Sequence, residues 1–249
     1  MMRVAVSGAC GRMGALIIQN IMESSDMELV AAFDVVKIGS EVEGVGVSDP
    51  QDMQEVLEEA SPDVLIDFTL ADSAFENVKK AASKGVNLIV GTTGFSEEQI
   101  DEMNKAIEGN VAAVISPNFS IGVNVFWKMI EDAKSYLKDY DIEIIEAHHR
   151  HKKDAPSGTA LHAARILGDK FVYGREGVSP RGDEIGIHSV RGGDIVGDHT
   201  VLFAGEGERF EITHRAHSRQ SFATGAIKAA RWVVSAGNGV HSMSEVLGF

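Results

Sequence analysis

The run Arg3-Val-Ala-Val-Ser7-Gly8-Ala-Cys-Gly11-Arg-Met-Gly14 decides the fold. Arg3 to Ser7 reads as a short buried strand, and Arg12 to Glu23 carries the apolar spacing of a helix. Between them the glycines spell G-x-x-G-x-x-G, a variant of the commoner G-x-G-x-x-G. Glycine permits a tight turn and lets backbone come close to a pyrophosphate, whose charge then rests on the amides and positive end of the following helix. Glu28 to Asp34 supplies a second strand, so the chain opens as β-α-β. A Gly-rich turn alone is only a strand-to-helix connection. Its context, together with an acid closing the second strand, points to a dinucleotide site.

Outward from this unit the alternation continues. Strands are expected at Asp63 to Thr69, Val86 to Val90 and Val111 to Ile115, and helices at Ser73 to Ser83 and Glu97 to Ile107, with Ser96 and Gln99 spaced as a capping box. This pattern implies an α/β fold with a Rossmann-type doubly wound parallel sheet. After about residue 120 the pattern changes. A helix near Val123 to Leu137, a strand at Ile142 to Ala147 and a helix from about Thr159 to Leu167 precede three strand-like stretches, Ile185 to Val190, Thr200 to Ala204 and Arg209 to Thr213. Clustered strands suggest an α+β domain with a mixed sheet. The expected organisation is a dinucleotide-binding domain over 1–120, a substrate-binding and oligomerisation domain over 121–218, and a C-terminal segment, 219–249, whose helix at about Gln220 to Ser235 returns to the first domain.

The 249 residues, 44% hydrophobic and 24% charged, suit a soluble two-domain protein with a substantial core. A net charge of -14 argues against nucleic-acid and membrane partners, which need clustered Lys and Arg. The single cysteine, Cys10, cannot form an intramolecular disulfide, and no targeting or membrane-spanning pattern is evident; the expected location is cytoplasmic.

Asp34 stands 20 positions beyond Gly14, where a carboxylate can bind an adenosine ribose and repel a 2'-phosphate. Nearby Arg12 and Lys37 soften that repulsion, so use of both NADH and NADPH is expected, with NADH at least competitive. Gly91-Thr-Thr-Gly94 and Ser116-Pro-Asn-Phe119 follow strands at their carboxyl ends, where open α/β sheets bind ligands; ordinary turn chemistry would favour the same residues.

The densest functional segment is His148-His-Arg-His-Lys152-Lys-Asp-Ala-Pro-Ser157-Gly-Thr159. If strand geometry persists, His148 and Arg150 face one way and His149 and His151 the other. Zinc ligation by the three histidines competes, but HHxH lacks a recognised ligand spacing and no metal is expected. Ser157-Gly-Thr opens a helix whose amides favour a carboxylate, so an anionic substrate is implied. Lys152 supplies a cation and proton donor, a histidine can titrate near working pH, and Lys153 is expected to face solvent.

The run from Glu146 to Thr159 resembles the signature of dihydrodipicolinate reductases, now described as 4-hydroxy-tetrahydrodipicolinate reductases, and the similarity extends through Gly8 to Gly14, Gly91 to Thr93, Ser116 to Asn124 and Ser189-Val-Arg-Gly-Gly193. The resemblance implies an NAD(P)H-dependent oxidoreductase of lysine and diaminopimelate biosynthesis, typically a homotetramer, acting on a small cyclic dicarboxylate. It implies that His148 and Lys152 are the catalytic proton-transfer groups, their roles undivided. His149, Gly158 and Thr159 would bind substrate. Gly8, Ala9, Cys10, Gly11, Arg12, Met13, Asp34, Gly91, Thr92, Thr93, Ser116, Pro117, Asn118 and Phe119 would contact cofactor. One departure is Val35, where members with a strong phosphate site often carry Arg. Domain closure is expected, with hinges near Ser120 and Ser218.

Overall fold

The computed structural model describes residues 1–178 and 180–249. In chain order the elements begin with β1 (Met2–Ser7), α1 (Arg12–Met22), β2 (Met27–Phe33), β3 (Glu41–Val42), β4 (Val45–Ser48), α2 (Met53–Ala60), β5 (Val64–Asp67), α3 (Ala71–Ser83), β6 (Asn87–Val90), α4 (Glu97–Ile107) and β7 (Ala112–Ile115). There follow α5 (Ile121–Tyr136), β8 (Asp141–His148), α6 (Gly158–Leu167), β9 (Phe171–Tyr173), β10 (Ile185–Arg191), β11 (Gly197–Gly205) and β12 (Glu208–Ala216). The chain ends with α7 (Gln220–Val233), β13 (Gly239–His241) and α8 (Met243–Leu247). Contacts divide it into two compact units, Met1–Ser120 with Gln220–Phe249, and Ile121–Arg219.

The first unit is an eight-stranded sheet in the order β13-β7-β6-β5-β1-β2-β4-β3, parallel except for the β3/β4 pair. Val4, Ala5 and Val6 are all fully buried, as a central parallel strand covered on both faces requires. Val4 and Val6 pack with α1, α7 and α8, whereas Ala5 joins the cluster under α2, α3 and α4. The buried positions Gly14, Ile17, Ile18 and Ile21 give α1 its single apolar stripe. α7 buries mostly Ala and Gly, so its backbone comes close to the sheet; a Cβ on Gly225 would stand 1.7 Å from the Phe119 carbonyl oxygen. Strand order reverses about β1, which has β2 on one side and β5 on the other, and ligands bind beyond the carboxyl ends of strands at such a switch point.

The second unit is a five-stranded mixed sheet, β12-β11-β8-β10-β9, in which β8, β10 and β9 are parallel and β11 runs antiparallel to both β8 and β12. Helices α5 and α6 supply Phe126, Trp127, Ile130, Ala163 and Leu167 to its core. Register places Ile144, Glu146 and His148 of β8 beside Ile187, Ser189 and Arg191 of β10 and beside Val201 and His199 of β11. With a side-chain period of two, one face therefore changes from apolar to ionisable toward the carboxyl end of β8.

The expected long elements are present, and the capping box at Ser96 and Gln99 is formed. Sequence reading passed over β3, β4, α2, β9, β13 and α8, most of them five residues or shorter. Too few residues repeat in such pieces for a period to show.

Candidate active site

At the carboxyl end of β1, Gly8 takes φ +77°, and the Gly8 and Ala9 amides both donate to Phe33 O, at 2.9 and 3.1 Å. The Cys10 amide donates to Asp34 Oδ2 at 2.8 Å, and the Gly11 amide to Gly8 O at 2.9 Å. The turn is thus satisfied internally up to Gly11, and the first-turn amides of α1 have no acceptor within their own helix. No side chain caps α1 and no acid lies in its first turn, so an anion suits this end. A Cβ on Gly14 would sit 2.1 Å from Gly8 O, which only glycine avoids. These residues fit a dinucleotide pyrophosphate.

Asp34 is buried, not an exposed loop acid, and accepts from the Cys10 and Val36 amides at 2.8 and 3.0 Å. A carboxylate has about four lone-pair sites, so capacity remains for ribose hydroxyls. Neighbouring loops share a second buried acid, Asp67, which accepts from the Thr69 amide and hydroxyl at 2.9 and 2.7 Å and from Asn77 Nδ2 at 2.8 Å. Burial pushes its carboxyl up, and the hydrogen bonds from Asn77 and Thr69 oppose this. Thr92 Oγ1 donates to Thr69 O at 3.1 Å, so the loops after β5 and β6 are held together. Ser116 Oγ donates to Asn118 O at 2.9 Å. Phe119 is buried, its ring 5.5 Å from that of Phe68.

In the second unit the strand ends at His148, and residues 149–152 turn, with the Lys152 amide donating to His149 O at 3.1 Å. The strand alternation considered for His148 to His151 therefore stops at its first member. The turn is tied to the loop after β10: Gly192 N donates to His148 O and Arg150 N to Gly193 O, at 2.9 and 3.3 Å. His149 and Lys152 are half-buried, while Arg150, His151 and Lys153 are exposed. Lys152 Nζ pairs with Asp154 Oδ2 at 3.0 Å. Burial would raise the Asp154 carboxyl, but the hydrogen bond from Lys152 holds it low. Among the described residues no group of three or more His, Cys, Asp or Glu is arranged to hold a metal ion.

Behind this turn lies a buried polar cluster. The fully buried Glu146 receives Arg191 Nη2 at 2.7 Å and the Ser157 amide at 3.1 Å on Oε1, and Arg191 Nη1 at 2.8 Å and His148 Nδ1 at 2.5 Å on Oε2. Burial alone would raise this carboxyl; the hydrogen bonds from His148 and Arg191 outweigh it and hold the acid well below the usual range. Ser157 caps α6 by accepting from the Ala160 amide at 3.2 Å, and its Oγ also lies 3.0 Å from His199 Nε2. Burial, helped by the neighbouring His148, pushes His199 down to about 3, so it is neutral. On its Nε2 side His148 meets Gly197, where a Cβ would stand 3.0 Å away.

Two family models cover the chain: "Dihydrodipicolinate reductase, N-terminus" matches residues 2–119 and "Dihydrodipicolinate reductase, C-terminus" matches residues 122–247. The chain belongs to the dihydrodipicolinate reductase family. It is 58% identical to the 4-hydroxy-tetrahydrodipicolinate reductase of Methanosarcina barkeri over the whole of both chains. It is 54% identical to that of Methanocaldococcus jannaschii, covering all of this chain and 98% of the relative. The solved dipicolinate-bound dihydrodipicolinate reductase from Paenisporosarcina sp. TG-14 superposes with a TM-score of 0.83 at 31% identity over 98% of each chain.

In this chain, sequence reasoning assigned roles to His148, His149, Lys152, Gly158 and Thr159 and gave none to Glu146, Arg191, His199 or Gly197. Glu146 carried a readable signal, since it stands two positions before His148 on the same face of a strand. Arg191 and His199 are brought in only by sheet register, opposite His148 and Glu146 respectively.

Proposed function

We propose that the chain reduces 4-hydroxy-tetrahydrodipicolinate to tetrahydrodipicolinate with NAD(P)H, a step of lysine and diaminopimelate biosynthesis. The observation that carries this reading is the Glu146 to Thr159 segment: an ordered set of proton-transfer groups beside a helix N-terminus, in a chain matched by its relatives from end to end. The bound cofactor supplies hydride from its nicotinamide ring. Over the whole reaction the substrate C4 gains that hydride, the C4 hydroxyl leaves as water, and one proton is consumed.

The protein's residues must hold a dianion and handle that proton. The Gly158 and Thr159 amides lie in the first turn of α6, and His149 and Lys152 stand in the turn that precedes it in the chain. They bind the substrate carboxylates, offsetting a chain whose net charge is -14. His148 and Lys152 are the proton-transfer groups. The Asp154 carboxylate holds the Lys152 side chain in place at 3.0 Å.

Gly8 to Met13, Asp34, Gly91 to Thr93 and Ser116 to Phe119 hold the cofactor. Asp34 favours a ribose 2'-hydroxyl, while Arg12 and Lys37 temper its repulsion of a 2'-phosphate, so both NADH and NADPH are used and NADH is at least competitive. The enzyme works in the cytoplasm as a homotetramer formed through the second unit, whose sheet leaves Ile145 and Val190 exposed. Sedimentation or light scattering would test that assembly.

The deciding assay follows oxidation of NADH and of NADPH with substrate generated in situ from aspartate semialdehyde and pyruvate by a coupling synthase, each component omitted in turn. Rapid synthase-dependent oxidation is expected. Cofactor binding without oxidation would overturn the assignment, and a preference for NADPH above about a hundredfold, roughly 2.7 kcal/mol, would overturn the cofactor reading.

A further inference from the structure

The acid Glu146 plays no part in the reaction as described above, yet it is the most heavily hydrogen-bonded carboxylate in the second unit. We propose that Glu146, clamped by Arg191, is a positioning residue that fixes His148 in one tautomer, with the proton on Nδ1 and the lone pair on Nε2. This inference deepens the proposed function, because it rests on His148 handling the proton.

Donor and acceptor accounting carries the argument. Three of the groups on Glu146 are N–H groups that can only donate, two from the Arg191 guanidinium and one from the Ser157 backbone, and the Ser189 hydroxyl is bonded to it as well. They require an ionised carboxylate, and an ionised carboxylate accepts only. The ring nitrogen against it, His148 Nδ1, must therefore carry a hydrogen. In the neutral ring Nε2 is then the basic atom, and it lies on the Gly197 side, where the absence of a side chain leaves room.

The surrounding elements support the same state. His199 on β11 presents its ring edge-on to His148 with centroids 5.1 Å apart and is neutral, so it adds no competing charge. Lys152, Asp154 and His149 lie in the turn after β8, with Lys152 paired to Asp154. Arg191 also donates to Asp154 O at 2.7 Å, so one guanidinium braces both the acid behind His148 and the loop carrying Lys152. A buried ion pair is weak evidence for stability, because desolvation offsets much of the attraction. An apolar residue would fill the strand position as well, whereas only an ionised acid sets the ring's proton.

The Glu146→Gln substitution has a specific consequence. Glutamine has one acceptor oxygen, which the Arg191 Nη2 and Ser157 donors claim at the Oε1 position. Its amide group then faces His148 Nδ1 as a donor, and the ring proton must move to Nε2.

The test is nitrogen NMR of histidine-labelled protein, with the His148 signals assigned by their loss in His148→Gln, read beside steady-state kinetics. Wild-type protein is expected to show neutral His148 as the Nδ1–H tautomer. Glu146→Gln is expected to reverse it and to lower kcat by about a hundredfold with a much smaller change in KM. Glu146→Asp, which keeps a carboxylate, is expected to retain the Nδ1–H form and recover part of kcat. An Nε2–H tautomer in the wild type would overturn the inference, and that measurement needs no variant to fold. Wild-type kcat in Glu146→Gln, with His148→Gln inactive, would overturn this inference alone. Wild-type turnover in His148→Gln would instead overturn the proton-transfer reading, and the purpose assigned to Glu146 with it.

Discussion

Ser157 Oγ lies 3.0 Å from His199 Nε2, and this contact joins the N-terminal cap of α6 to the amino-terminal part of β11. Both side chains are buried. The Ser157 oxygen already accepts the Ala160 amide, so it gains a second partner without giving up the cap. His199 Nδ1 is buried with no hydrogen-bond partner among the described residues, which suits a neutral ring whose Nε2 carries the proton, since a bare lone pair costs less than a bare N–H.

That neutral imidazole makes stability depend on pH. The folded-state value for His199 is lowered from 6.5 to about 3 by burial first and by His148 second, so between those limits the unfolded chain binds the extra proton. Stability is then fully present above the unfolded value and is lost as pH falls through the window. Urea unfolding at a series of pH values between about 6.5 and 4.5 is expected to show a steeper loss in wild type than in His199→Gln, by up to about 1.4 kcal/mol per pH unit for one proton. Parallel slopes would show that His199 is charged in the folded state.

The proton-transfer roles predict large kinetic effects. His148→Gln and Lys152→Ala are each expected to lower kcat by on the order of a hundredfold or more, the range for loss of a positioned acid. Wild-type turnover in either purified variant would remove that residue from the mechanism. Asp154→Asn separates charge from proton delivery at Lys152: the variant retains the lysine and loses its ion-pair partner, so a smaller change than in Lys152→Ala is expected.

The β-α-β opening was legible because apolar periodicity changes where the glycines fall, and the cap at Ser96 because both of its residues are local. The same cap signature at Ser242 and Glu245 went unread, since the helix it starts, α8, has only five residues. His148 and Lys152 could be singled out as candidates because one continuous segment carries them. Arg191 and His199 could not: their place depends on β10 pairing parallel and β11 antiparallel with β8, which no local pattern specifies. Burial of the Phe119 side chain was not legible either, because a loop residue after a strand belongs to no apolar period.

Gly197 tests how closely His148 is packed. An added methyl would stand 3.0 Å from His148 Nε2 and 3.8 Å from His199 Cε1, tight enough that the His148 ring must yield by a few tenths of an ångström. Its backbone is ordinary extended strand, so Gly197→Ala brings no left-handed strain. A kcat about tenfold lower, with thermal stability within roughly 1 kcal/mol of wild type, is the expected result. Unchanged kcat would mean that the ring tolerates displacement and that its Nε2 position is not critical.

Gly14 and Gly11 give a graded test of the cofactor turn. A methyl on Gly14 would lie 2.1 Å from Gly8 O and 2.8 Å from Ala9 Cα, both backbone atoms with nowhere to rotate, so α1 must move away from the turn. A methyl on Gly11 would lie 3.1 Å from the same oxygen, a contact relieved by a small shift. Calorimetric titration with NADH is expected to show Gly14→Ala binding at least about tenfold more weakly, near 1.4 kcal/mol, with a lower melting temperature, and Gly11→Ala binding only slightly more weakly. The proposed substrate residues belong to the other unit, so binding of a dicarboxylate such as dipicolinate alone should change little in either variant. If Gly11→Ala proved the more damaging, the Gly11 φ of -79°, which any residue can adopt, would rule out backbone strain, and direct approach of the cofactor to that Cα would be the remaining cause.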